Sequence, residues 1–300
     1  MGPSISRKEF LKGMAALPIA YGLRFPHFLS KVQSSHPWKL SLNAYSFNRP
    51  LRDGTIDLFD LLDFCAEQQF AAIDPTAYYF PGYPDIPSDS YLYEFKRKAF
   101  LLGLDISGTG IRNDFADPDK EKREAGIELI RQWIGVAAKM GAPHLRIFTG
   151  RNPHEGYSRD QVFEWMAEAI ERCCADGKKL GVMISLQNHN EFLKTAEDVN
   201  RLFDMIDSDW FGLNQDIGSY RQHNPYEEIP QNISHTITWQ IKEHVWINDE
   251  QVPTDFVKLF RIIKQANYQG YLPLETLGPG DPYEKVPLLL KNVKEALSQL

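Results

Sequence analysis

Carboxylate, imidazole, ammonium and guanidinium groups stand at the ends of β-rich runs in this chain, at Asp74, Asp216, Glu275, His189, Lys242 and Arg146. A carboxylate or an imidazole can take a proton from a carbon beside a carbonyl, and a lysine can polarise that carbonyl or hold the enolate. Glu275 is the best candidate for the base. In GYLPLETLG it alternates with Leu272 and Leu274, which turns it to the opposite face of the strand. Lys242, in WQIKE, and His189, in SLQNH, are the candidate polarising group and second acid. Plain alternatives stand beside each. Lys242 can form a salt bridge with Glu243 or another neighbour, His189 can be a satisfied structural histidine, Asp74 can cap the turn before Pro75, and Arg146 can serve a wall ion pair. The other strand ends carry hydrogen-bonding groups, at Asn43, Tyr45, Tyr78, Thr109, Asn113, Gln187, Asn188 and Gln240. From this set, Tyr45, Asp74, Tyr78, Asn113, Arg146, Asn188 and the neighbouring Trp239 are read as substrate contacts. So many polar groups are costly to bury unless a ligand or water satisfies them.

The elements that must position these groups recur along the chain. β-rich runs occur at 38–47, 70–75, 104–110, 143–150, 181–187, 211–218, 235–242 and 270–276, most of them separated by segments with helical periodicity. Helix starts are marked by Asp117 before Pro118, by Thr195 with Asp198 three residues on, and by Asp281 before Pro282. Eight β-then-α units without a linker predict an α/β fold, a (β/α)8 TIM barrel closed as a single domain. A doubly wound open sheet is the rival, weakened because no G-x-G-x-x-G follows the first strand. In a parallel barrel all C-terminal strand ends open on one face, so the polar groups above should converge.

Composition limits the partners. The 300 residues are 43% hydrophobic and 12% aromatic, enough for a large core, and the formal charge is -7 with no Lys/Arg run. A nucleic-acid partner is therefore not expected. Cys65, Cys173 and Cys174 have no CxxC spacing and read as packing residues. Residues 1–35 form a separate segment: Arg7 and Lys8 precede Phe10 and a short apolar run from Met14 to Leu23. This segment reads as a twin-arginine-type export signal, implying a periplasmic protein, or as a starter helix of a cytoplasmic one. The run is too short to span a bilayer. The barrel is assigned to 36–300.

The motifs SLQNH, NQDIGSY, WQIKE and LPLETLGPGDPY, in this order, resemble the xylose-isomerase-like TIM barrels, a family of sugar isomerases and epimerases that also includes endonuclease IV. The likeness runs from about residue 38 to the end. In sugar-acting members a divalent metal is held by two acids, a histidine and a glutamate at the ends of strands five to eight. By position those ligands fall on Gln187, Asp216, Gln240 and Glu275, so two of the four are amides. An amide oxygen can ligate a hard cation but brings no charge, which implies weak Mn or Mg binding or none. Family isomerases that work through an enediol use two carboxylates on opposite faces of the sugar. Gln187 can play neither part, which favours an elimination over a symmetric epimerisation. Endonuclease-like repair needs a histidine-rich three-metal site, and the eight histidines here do not collect at the strand ends.

The segment 75–93 is rich in tyrosine and proline, and such stiff aromatic loops suit stacking on sugar rings; packing against a second subunit in a homo-oligomer is the other use. Trp239 and Tyr220 are expected at the same face. Few cations are available at the mouth, chiefly Arg112, Arg146, Arg151, Arg221 and Lys242, so a neutral sugar or glycoside is expected rather than a phosphate. Two functions follow: a sugar isomerase, epimerase or lyase, or a catalytically degenerate carbohydrate-binding barrel.

Overall fold

The computed structural model describes residues 38–151 and 156–300. Its main sheet is parallel and runs in the order β3-β2-β1-β11-β8-β7-β6-β5-β4. The strands are β1 (Lys39–Asn43), β2 (Ala72–Asp74), β3 (Asp105–Ile106), β4 (Thr109–Gly110), β5 (His144–Phe148), β6 (Met183–Gln187), β7 (Phe211–Asp216), β8 (Thr236–Lys242) and β11 (Tyr271–Glu275). The two ends of the sheet, β3 and β4, are halves of one stretch of chain, so the sheet closes on itself through Ser107 and Gly108. β9 (His244–Ile247) and β10 (Glu250–Pro253) form a separate antiparallel hairpin, turning at Asn248 and Asp249, both with positive φ. Eight main helices alternate with the strands, at 58–67, 89–101, 120–140, 159–180, 196–204, 225–232, 256–265 and 282–297. This is the (β/α)8 barrel that the eight runs predict, and each run contains its strand.

The break in the third strand has a steric cause. A Cβ on Gly108 would lie 2.3 Å from the His144 ring, and one on Gly110 would lie 2.8 Å from Arg146 Nε. Only glycine leaves room for the two large side chains that β5 sends inward.

Strand parity separates two interiors. Leu42, Ile73, Leu145, Ile147, Ile184, Leu186, Leu213, Ile241, Leu272 and Leu274 are wholly buried and make up the strand side of the sheet–helix core. The residues between them point into the barrel and are mostly polar. Ser41 Oγ lies 2.6 Å from Ser107 Oγ, and Ser185 Oγ lies 2.8 Å from His144 Nδ1. The three cysteines are free and buried, and burial pushes each thiol up, as a packing role requires.

Two helix starts differ from expectation. Asp119, not Asp117, caps helix 120–140, while Asp117 accepts from the Asp119 N–H instead. Thr195 caps helix 196–204 through the Asp198 N–H, but the Asp198 carboxylate turns to the Lys194 N–H and to Arg159, leaving the box half formed. Asp281 and Pro282 start the last helix as expected. The segment 1–35 lies outside the described residues. Among those that are described, no helix is long and apolar enough to cross a membrane.

His144 carries a pH signature. Full burial pushes its pKa down to about 4, so the folded chain keeps the ring neutral where an unfolded chain, near 6.5, is protonated. Stability from this residue is thus complete above pH 6.5 and is lost as pH falls towards 4, by up to about 1.4 kcal/mol per pH unit. Urea midpoints of the wild type should fall across this window, and His144→Gln should flatten that fall.

Candidate active site

Parity brings most of the expected groups into one place. The C-terminal strand ends surround a cavity of about 610 Å³ whose wall includes Tyr45, Tyr78, Arg146, Gln187, His189, Gln240, Lys242 and Glu275. At its centre Lys242 Nζ lies 2.7 Å from Asp216 Oδ2 and 3.1 Å from Glu275 Oε2. Burial opposes the charge on Lys242, but the two carboxylates outweigh it and hold the ammonium above the usual lysine range. Burial equally opposes ionisation of Asp216, and Lys242 with the Gln187 amide overcomes it, holding this carboxyl below its ordinary value. Lys242 is therefore a buried ion pair, but with these two acids and not with Glu243, which pairs with Lys285 at 3.2 Å.

A second charge pair forms the opposite wall. Arg146 Nη1 donates to Asp74 Oδ2 at 2.6 Å, the same oxygen accepts from Asn43 Nδ2 at 2.9 Å, and Arg146 Nη2 reaches Thr76 Oγ1 at 3.4 Å. Arg146 lines the cavity, and Asp74 lies behind it, only 1% exposed.

His189 lies at the mouth. Its ring meets Phe148 edge to face at 5.0 Å, and its Nδ1 is 3.6 Å from Glu191 Oε2. The other Glu191 oxygen accepts from Arg112, which also stacks over Phe148 at 4.6 Å. Glu191 was not expected at the site. Its only sequence signal is a position two residues past His189 in the same loop. Tyr78 and Tyr83, from the tyrosine-rich segment, line the cavity and contact each other edge to face, with ring centroids 5.5 Å apart.

Besides Asp74, three further expected substrate contacts lie outside the cavity lining. Trp239 shares parity with Ile241, points into the helix shell, is wholly buried and packs edge to face on Tyr268. Asn113 clamps β5, giving its amide N–H to the Phe148 carbonyl at 2.7 Å and accepting from the Phe148 N–H at 2.8 Å. Asn188 holds both the N–H and the carbonyl of Asp216 in the same way, at 2.8 and 3.1 Å. Both asparagines fix the backbone that carries the site. Tyr220, expected beside Trp239, is also buried, donating to Asn232 at 2.7 Å.

The four positions that the resemblance assigns to a metal do not fit a divalent cation. A carboxylate oxygen only accepts, so Gln187 turns its NH2 to Asp216 Oδ2 at 2.8 Å and its carbonyl away. The other Asp216 oxygen accepts the Gly218 N–H at 2.9 Å. Gln240 Oε1 is buried without a hydrogen-bond partner. A dication about 4 Å from the Lys242 ammonium would meet a repulsion of about 8 kcal/mol at an effective dielectric of about 20. Among the described residues no group of three or more His, Cys, Asp or Glu side chains gathers for a metal.

The sequence profile of the xylose isomerase-like TIM barrel matches residues 62–293, and the chain belongs to that family. Among solved structures it is similar to the 3-keto-D-glucoside 4-epimerase of E. coli, at 14% identity and TM-score 0.70, over 86% of this chain and 99% of that one. It is similar also to the D-psicose 3-epimerase of Clostridium cellulolyticum H10, solved with D-tagatose, at 13% identity and TM-score 0.71, over 86% and 99%. A third is the D-allulose 3-epimerase of a Methylomonas species, at 14% identity and TM-score 0.69, over 87% and 98%. At these identities the likeness establishes the fold. No curated protein sequence matches the chain significantly.

The Arg146–Asp74 pair should be costly to break from one side. Asp74→Ala leaves a buried guanidinium uncompensated and should destabilise the fold by about 3–5 kcal/mol. Adding Arg146→Met should recover part of that loss. Urea denaturation of the two single variants and the double variant measures the coupling.

Proposed function

We propose that the chain is an enzyme that moves a proton next to a carbonyl on a carbohydrate, a sugar isomerase or epimerase in the wide sense and a lyase by preference. The observation that carries this reading is Glu275, which lines the cavity 3.1 Å from the Lys242 ammonium, a base beside a fixed positive charge. Glu275 takes the proton from the carbon next to the carbonyl. The C–H electron pair forms a carbon–carbon double bond, and the carbonyl pair moves to oxygen, where Lys242 stabilises the enolate. His189, backed by Glu191, is the second acid. It returns a proton to carbon in an epimerisation, or gives it to a departing β-hydroxyl that leaves as water in an elimination. With Gln187 where a second carboxylate would act, elimination is the better match. No step passes through a metal.

A neutral sugar or glycoside is the substrate class. Tyr45, Tyr78, Tyr83 and Phe148 give the wall apolar ring surfaces, and Gln240 offers an unpartnered oxygen to a hydroxyl. Lys242, Glu275 and Leu277 also border a second depression of about 500 Å³ that extends under the β9–β10 hairpin, where Arg221 stacks on Trp246 at 4.6 Å. That adds room for a second ring, as in a glycoside. The E. coli neighbour acts on a 3-keto-D-glucoside by its description.

A turnover screen on free sugars and 3-keto glycosides tests the proposal. With a substrate in hand, Glu275→Gln should cut turnover about 100-fold or more with the fold intact. In a binding-only barrel no substrate turns over, and the same change shifts sugar affinity modestly. Export belongs to the same proposal. Residues 1–35 fused to a reporter should send it to the periplasm of a twin-arginine-competent host, and a reporter kept in the cytosol returns the segment to a starter helix.

A further inference from the structure

We propose that the Lys242 ammonium replaces the divalent cation of this site, so that the fixed positive charge facing the substrate belongs to the chain itself. The two acids left in the ligand set, Asp216 and Glu275, are the two that Lys242 contacts, at 2.7 and 3.1 Å. Asp216 is wholly buried and already engaged through both carboxylate oxygens. Its Oδ2 accepts from both Lys242 and Gln187, and its Oδ1 accepts from the Gly218 N–H. The two amides fit an ammonium better than acid and imidazole ligands would. Two carboxylates and one ammonium leave a net charge of -1, while an acid in place of Gln187 would add a further buried negative charge beside Asp216. Gln187 instead donates to Asp216, which an ionised carboxylate in that position could not do.

An ammonium has three N–H donors. Asp216 and Glu275 take two, which leaves one for an oxygen of whatever enters the cavity that Lys242 lines. The trade is chemical: one directed donor with a single charge, where a dication would chelate two substrate oxygens at once. A site built this way holds its charge without a resident ion and is indifferent to chelators. It gives up bidentate grip on a diol and keeps stabilisation of one oxyanion.

The test uses MnCl2 as the probe on the full chain. Calorimetry compares the wild type, Gln187→Glu with Gln240→His, and the triple variant that adds Lys242→Met, which keeps side-chain length and removes the charge. The wild type should show no binding up to millimolar Mn, and its thermal midpoint should be the same in EDTA and in 1 mM MnCl2. The double variant should gain little, and the triple variant should bind at least 10-fold more tightly than the double. A stoichiometric wild-type site tighter than about 10 μM overturns the proposal, and so does a double variant that binds as tightly as the triple or a folded triple variant that binds no Mn. Should the triple variant not fold, Lys242→Met alone decides it by thermal shift. A midpoint raised by 1 mM MnCl2 in this variant and not in the wild type supports the proposal, and an equal response in both overturns it.

Discussion

Three charges meet, largely buried, at the mouth of the barrel. Asp216 is wholly buried, and the side chains of Glu275 and Lys242 are only 7% and 10% exposed. None of the three is tolerable alone, because an isolated buried ion costs several kcal/mol even after relaxation. Their positions are therefore set jointly. Lys242 must reach across from β8 to β7 and β11, Asp216 must be held rigidly by Asn188 and Gly218, and Gln187 must present its NH2. The strands that supply these groups are neighbours in the order β11-β8-β7-β6, which makes the cluster a property of the sheet and not of loops. A charge fixed in this way is preorganised, the property the proposed reaction would use to stabilise a developing oxyanion.

The Arg146–Asp74 pair balances this cluster from the other side. It belongs to β2 and β5, next to the broken third strand, and Gly110 leaves the space that the Arg146 side chain fills. Between the two ionic clusters the cavity wall is mostly amide, phenol and aromatic ring. That division suits a ligand with one reactive carbonyl and several hydroxyls.

The eight units and the closure of the barrel were legible in the spacing of β-rich runs, because a parallel strand buried on its shell face needs Leu, Ile or Val at every second position. Glu275, Lys242, Gln187 and Gln240 were legible as strand-end polar groups for the same reason. Trp239 is near the strand end, but parity along β8, not nearness, decides that it faces the shell. Gln240 and Lys242 face inward together, so Trp239 and Ile241, which alternate with them, must face the shell. Asn113 and Asn188 spend their amides on backbone, and an asparagine that clamps backbone is the same letter in a sequence as one that meets a sugar. Glu191 and the β9–β10 hairpin lie beyond the strands, where no period applies. The Asn248-Asp249 turn is the one local cue for the hairpin.

The layer below the site explains why a polar mouth is stable at all. Ser41, Ser107, His144 and Ser185 pair among themselves, while Asn214 Oδ1 and Thr238 Oγ1 are buried without hydrogen-bond partners. An apolar plug there would place hydrocarbon against the carboxylates above it, raising the cost of keeping them ionised. A polar floor supplies dipoles instead, and its two unpartnered oxygens are positions where an internal water would be stabilised. His144 remains neutral in this layer, burial having driven its pKa down to about 4, so the floor adds hydrogen bonds without adding charge. The net charge at the mouth is then decided by Asp216, Glu275 and Lys242, by Asp74 and Arg146, and by Arg52 and the Arg112–Glu191 pair, with no contribution from beneath.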